Sequence, residues 1–316
     1  MSERDMATLL DLVERHLGGQ WVDLVEWLRE RNALEDIEQR LARGDYRGVI
    51  QAVDDAALKF AAETHAAYVQ SGQTAAQWLD DQPALADSLV RFDQTSPEVL
   101  RAAQQNQLEW VRDLTTETRQ VVNQVLVDGT QRSANPREIA RDLRDSIGLT
   151  PQQEQAVRSY RQALEQQDWS NALGRELSSG HSDRTIAAAR DADRALTQNQ
   201  IDLAVERYRQ AQVSARAEAI ARTETLRNVH AGVTAAFDQA ISRGDIDADE
   251  LEKEWIHAGS GRYSRPDHVK LDGTTVGYRE TFEVGGARMK YPGDPAGGPD
   301  QTVNCRCTFA TTIKAA

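Results

Sequence analysis

Cys305 and Cys307 stand one residue apart near the end of the chain, with His268 upstream of them. On an extended segment both thiols face the same side, because side chains alternate with period two. Together with His268, and with His257 or Asp267 as a fourth donor, they form a ligand set of the soft type that zinc accepts. The competing reading, and the preferred state, is a pair of buried thiols packing a small domain. His268 has an equally ordinary alternative as a loop histidine bonded to backbone. A disulfide across one intervening residue would close a small, strained ring, so free thiols or metal ligands are expected, and a reducing compartment suits both. No cofactor other than this candidate zinc is called for. A third chemistry open to these residue types is a nucleophilic pair, Cys305 or Cys307 with His268, which defines the alternative of a metal- or cysteine-dependent hydrolase. Familiar enzyme templates are absent: the sequence has no phosphate loop, no H-E-x-x-H and no G-x-S-x-G, and His181 reads as a lone loop histidine. No established catalytic motif is present, and the chain reads as a non-enzyme.

Around this cluster lie Arg222, Thr223 and Glu224 in an Ala-Arg-Thr-Glu run, then Trp255, Arg262, Arg265, Leu271-Asp272-Gly273, Phe282, a Pro292-Gly293-Asp294-Pro295 turn and Asn304-Cys305-Arg306-Cys307. Glu218 with Arg222, and Glu224 with Arg227, have the spacing of surface ion pairs worth roughly a few tenths of a kcal/mol. Arg222 and Glu224 project about 200° apart on a helix, so they cannot act as one bidentate unit. Each is expected instead to fix a separate loop of the following domain. Asp272-Gly273 is a turn signal, expected to invert the chain between two short strands and to aim His268 back at the cysteines.

The elements that must position these residues are mostly helical. Leu9, Leu12, Val13 and Leu17, then Trp21, Leu24, Val25 and Leu28, follow the spacing of one helical stripe, with a break or kink expected at Gly18-Gly19. A stop is expected at Gly44, and Val53, Ala57 and Phe60 resume the helical spacing. Pro83 and Pro97 open new helices, the second ending at Asp128-Gly129. Asn135-Pro136 caps a helix that Gly148 ends, Thr150 with Gln153 forms a capping box, and Ser182 or Asp183 caps a helix through Ala195. A long helix from about Asn199 to Arg243 stops at Gly244, its seam including Ile201, Val205, Tyr208, Ile220, Leu226, Val233, Phe237 and Ile241. Beyond it the chain turns glycine- and proline-rich, with β-prone pieces at 274–276, 281–284 and 307–309. The fold class is therefore mainly α: a long-helix N-terminal region followed by a small α+β C-terminal domain of short strands and ordered loops. Three regions are expected: 1–134, acidic and helical; 135–243, helical and ending in the long helix; and 244–316, the α+β module.

The formal charge of −13 is uneven. Residues 1–130 hold 23 acidic and 12 basic side chains, a net −11, whereas 220–316 hold 14 and 12. A phosphate backbone would be repelled by the first part, so direct DNA binding is disfavoured there; docking on a basic protein surface competes with a plain solvated face. No run is long and apolar enough for a membrane helix. The first residues lack a secretion signal, and synthesis in a cytoplasm is the expectation.

The order and spacing of the dispersed signature from Ala221 to Cys307 resembles phage Mu F-like minor head proteins, the head-morphogenesis family of tailed bacteriophages, over about residues 135–312. That resemblance implies a virion protein, in the capsid interior or at the portal vertex. Its implied partner is the portal protein, with scaffold or major capsid protein as further candidates, in assembly, DNA packaging or ejection. It gives Arg222, Thr223, Glu224, Trp255, Arg265, His268, Asp272, Gly273, Phe282, Asn304, Cys305, Arg306 and Cys307 a structural role. A sister form carries a Cys-x-x-Cys pair just before the Leu-Asp-Gly step. Here Pro266-Asp267-His268 stands in that neighbourhood, which removes two thiolate ligands from the zinc reading. No appended domain is expected after Cys307.

Overall fold

The apolar stripe from Leu9 to Leu28 becomes the buried face of one helix, α1 (Glu3–Arg31), except for Leu12, which is exposed. The computed structural model describes residues 1–31, 37, 39, 43, 47–86, 88–132, 134–258 and 264–314. Helix α1 passes through Gly18-Gly19 without the expected break. A Cβ built at Gly18 would lie 3.5 Å from that of Ala221, an ordinary packing contact. The expected stop at Gly44 lies outside the described residues.

The next long helices are α2 (Arg47–Asp80) and α3 (Pro97–Gln131). Pro83 opens a single 3₁₀ turn (Pro83–Leu85) rather than a full helix, while Pro97 does occupy the first position of α3. Gly129 lies inside α3 and not past its end, packed against Ile139. Helix α4 (Pro136–Ser146) starts with a reciprocal capping box between Asn135 and Glu138, and α5 (Pro151–Glu165) with one between Thr150 and Gln153. After the short α6 (Trp169–Ala172) comes α7 (Gly180–Asp191). Its cap is Ser179, three residues before the expected one, because the Ser179 hydroxyl accepts the Ser182 N–H and so satisfies a first-turn donor. His181 therefore sits in a helical first turn, not in a loop. Helix α8 (Gln198–Arg243) is the expected long helix, ended by Gly244 at φ +78.

The C-terminal module follows. Strand β1 (Leu251–Ile256) runs antiparallel to both β2 (Thr275–Gly277) and β5 (Thr308–Ile313), giving the order β2-β1-β5. Between β1 and β2 lies α9 (Pro266–Lys270). A hairpin pairs β3 (Phe282–Val284) with β4 (Ala287–Met289), and α10 (Gly298–Thr302) precedes the cysteines. The architecture is thus mainly helical, with a few short antiparallel strands near the C-terminus.

The contacts divide into two compact units, one of Met1–Trp21, Leu58–Glu109 and Glu218–Ala316, the other of Val22–Ala57 and Trp110–Ala217. Four long helices, α1, α2, α3 and α8, each give residues to both. In the first unit Trp21 meets Phe60 edge-on at 5.3 Å, and Phe237 stacks at a tilt on both Trp78 and Tyr278. The second unit has an apolar cluster of Ile37, Val121, Val122, Val125, Ala140 and Leu143, and Tyr160 packed on Tyr208 at 4.7 Å.

Among the described residues, no helix is long and apolar enough to cross a membrane.

Candidate functional site

The alternation of β1 places Leu251, Lys253 and Trp255 on its buried face. Trp255 anchors an apolar cluster with Leu226, Phe282, Val284, Met289, Cys305 and Cys307. Its ring meets Phe282 edge-on at 5.3 Å and His268 at 5.3 Å with an 87° interplanar angle. Two loops thereby converge on one indole: the segment before β2 brings His268, and the segment before β5 brings the cysteines.

His268 lies on α9, in the connection between β1 and β2, so the Asp-Gly turn follows a short helix instead of joining two strands directly. The turn at Asp272-Gly273 (Gly273 φ +73) joins that short helix to β2. Asp272 Oδ1 accepts the His257 N–H at 2.8 Å, and Gly273 N–H donates to Trp255 O at 2.9 Å, so the turn is tied to β1. Arg265 secures the other side. Its Nε and Nη2 donate to Asp300 O (2.6 Å) and Val303 O (2.7 Å), fastening the start of α9 to the stretch before Asn304.

The result is that His268 Nδ1 lies 3.4 Å from Cys305 Sγ and 3.5 Å from Cys307 Sγ. All three side chains are buried and their donor atoms lie within 4.8 Å of one another. Both cysteines are free. Neither His257 nor Asp267 belongs to this group; Asp267 pairs with Lys270 instead. The Cys305 thiol is pulled below its ordinary value, first by the hydrogen bond it accepts from the Cys307 thiol. His268 and the Cys307 N–H add to that pull against the opposing effect of burial. Donating to Cys305, together with burial, pushes the Cys307 thiol up.

On α8, Arg222 Nη1 donates to Asn304 Oδ1 at 2.8 Å, and Thr223 Oγ1 accepts the Asn304 N–H at 3.0 Å. Asn304 has φ +58, a left-handed conformation that Asn tolerates better than most residues. Arg222 also faces Glu14 at 3.4 Å, and Arg227 pairs with Glu109 while Glu224 three residues before it adds a favourable charge interaction. Glu224 is buried and its oxygen accepts from Asn228 four residues on. Arg306 is exposed. Arg262 lies outside the described residues.

Three contributors had no place in the motif. Gln301, on α10, has its Oε1 2.9 Å from His268 Nε2. No spacing rule flags it. His230 was legible, since it lies four residues after Leu226 and three before Val233 on the seam of α8. It is fully buried, with Nδ1 2.6 Å from Pro292 O and Nε2 3.1 Å from Thr308 Oγ1, and burial depresses its pKa to about 4. Lys253 is the third. Its Nζ donates to Glu280 O and Lys290 O, both at 2.9 Å, and burial lowers its pKa to about 8.

A family model described as phage Mu protein F-like protein matches residues 120–310, well over half of the chain. The chain belongs to the phage Mu protein F-like family. This places it among phage head morphogenesis proteins, with the match beginning at 120 where the sequence motifs suggested 135. One relative is the uncharacterized protein YqbB of Bacillus subtilis (strain 168), 29% identical over 96 residues. That alignment covers 29% of this chain and spans only 30% of YqbB. No solved structure matches the chain. Within this Mu F-like chain several motif residues have defined contacts. Arg222 and Thr223 of the Ala-Arg-Thr-Glu run grip Asn304, Arg265 fastens α9, and Trp255, backed by Phe282, packs against His268.

Proposed function

We propose that the chain is a minor head protein of a tailed phage that associates with the portal vertex and assists head assembly, DNA packaging or ejection. The family match over residues 120–310 carries this reading. Contacts of the signature residues support it: Arg222 and Thr223 tie α8 to Asn304, and Arg265 ties α9 to the segment before Asn304. The net −11 of residues 1–130 suits docking on a basic protein surface, with the portal as first candidate and scaffold or major capsid protein as others. The same charge disfavours a phosphate backbone as its ligand. On this reading the protein is made in the host cytoplasm and ends in the capsid interior or at the portal vertex.

A hydrolase centred on His268, Cys305 and Cys307 is the weaker reading. The Cys–His contact exists, but His268, Cys305 and Cys307 are 2%, 3% and 4% exposed. A nucleophile must reach its substrate, and neither of the two described clefts is lined by these residues.

Quantitative mass spectrometry of purified proheads and mature particles, scaled to the portal protein, tests the proposal. A few copies per portal in proheads is the expected result. Absence from both particles removes the head-protein reading.

A further inference from the structure

We propose that His268 Nδ1 and the thiolates of Cys305 and Cys307 bind one zinc ion, with the fourth position taken by water. This goes beyond the head-assembly reading and does not depend on it.

The spacing of the donor atoms carries the argument. Zinc bonded at roughly 2.3 Å to sulfur and roughly 2.1 Å to nitrogen in a tetrahedron sets its nitrogen and sulfur ligands about 3.6 Å apart. The two observed distances from His268 Nδ1 to sulfur are 3.4 and 3.5 Å. Two edges of a tetrahedral site are therefore present within about 0.2 Å of that value. The Cys307-to-Cys305 hydrogen bond leaves only one of the two sulfurs to bond His268 Nδ1. Nδ1 has one in-plane position for a proton or a lone pair, so it makes one directed bond, yet two sulfurs converge on it. A cation seated among the three satisfies all of them at once.

Orientation is fixed from outside the cluster. The Nε2–H of His268 donates to Gln301 Oε1, which leaves Nδ1 to face the sulfurs. Histidine ligands to metals are oriented by such an outer acceptor, which sets the tautomer. Trp255 closes one side of the ring, and Arg265 ties the helix bearing His268 to the loop bearing the cysteines. Arg222 and Thr223 hold Asn304, the residue before Cys305, so the sulfurs start from a pinned backbone.

The chemistry of the donors selects the metal. No carboxylate belongs to the group, which argues against magnesium and calcium, whereas two thiolates and an imidazole suit zinc. On binding, both thiol protons leave to solvent and two Zn–S bonds and one Zn–N bond form. The ion would cross-link α9 to the segment before β5 and so stiffen the module between them.

The test uses the full chain, purified in reductant, stripped with chelator and titrated with Co²⁺. The expected result is a thiolate-to-cobalt charge-transfer band with tetrahedral visible bands, saturating at about one cobalt per chain and displaced by Zn²⁺. Cys305→Ser, Cys307→Ser and His268→Ala should each weaken cobalt binding by about tenfold or more. Asp267→Asn and His257→Gln, outside the donor group, should leave it unchanged. If a ligand variant fails to fold by circular dichroism, the wild-type titration decides alone. A folded wild-type chain with two titratable thiols and no charge-transfer band overturns the proposal. So does a band that persists at full strength in Cys305→Ser and Cys307→Ser.

Discussion

Asn304 is held from α8 by two neighbouring residues. Arg222 donates to its side-chain oxygen at 2.8 Å, and Thr223 Oγ1 accepts its backbone N–H at 3.0 Å. Both bonds hold one residue whose φ of +58 is costly without support.

Loss of the Arg222 contact is expected to cost about 1.5 kcal/mol, the low end of the range for a hydrogen bond made by a charged group, because this bond is exposed. Thr223→Val removes a neutral acceptor of similar shape and should cost about 1 kcal/mol. Because both act on Asn304, the double variant should be non-additive by about 0.5 kcal/mol or more. Urea unfolding of the two single variants and the double measures this. Strict additivity would show that Asn304 is not their shared support.

His230 makes stability depend on pH. In the folded chain burial lowers its pKa from 6.5 to about 4, while the unfolded chain keeps the ordinary value. Between these values the unfolded state binds more protons, so stability must fall as pH is lowered. The contribution is fully present above about pH 6.5, falls progressively below it, and is gone once the pH drops below about 4, a loss of about 3 kcal/mol in all. His230→Gln should be less stable at pH 7 but show a flatter profile from pH 6.5 to 4.5. Parallel curves for the two proteins would count against His230 as the source.

The helical part was legible because periodicity and capping act locally. Asn135 with Glu138 and Thr150 with Gln153 form the reciprocal caps that their spacing implies, and Gly244 ends α8. The break expected at Gly18-Gly19 does not form because glycine lowers helix stability by only about 1 kcal/mol per residue, which the buried residues of α1 on either side outweigh. In the site, the approach of His268 to the cysteines could be guessed from the motif. The route could not, since residues 266–270 form a helix that no periodicity in so short a stretch can specify. Gln301 was invisible for the same reason: its role rests on where α10 places it, not on its neighbours in sequence.

Trp255 is fully buried and packs both His268 and Phe282. Trp255→Ala should cost about 3–5 kcal/mol, through lost burial and the cavity left behind. Trp255→Phe keeps an aromatic wall and should cost less. Removing the indole also opens the way to the sulfurs, so thiol labelling of the native chain, with chelator present throughout, should be faster in Trp255→Ala. A normal unfolding midpoint with unchanged labelling would mean the indole does not shield this cluster.

Two glycines separate helix propensity from packing. Replacing glycine by alanine inside a helix normally stabilises by about 0.5–1 kcal/mol. At Gly19 on α1 an added Cβ meets nothing within 4 Å, so Gly19→Ala should show that gain. At Gly232 on α8 the same atom would overlap the Tyr68 carbonyl oxygen and sit 3.1 Å from Ser71 Cβ. A backbone oxygen cannot swing aside as a side chain can, so α2 and α8 must part locally. Overpacking of this kind costs about 1–3 kcal/mol, which exceeds the propensity gain. Gly232→Ala should therefore destabilise while Gly19→Ala stabilises, as read from paired urea midpoints. A shift of the same sign in both would show that helix propensity, not the approach of α2, governs position 232.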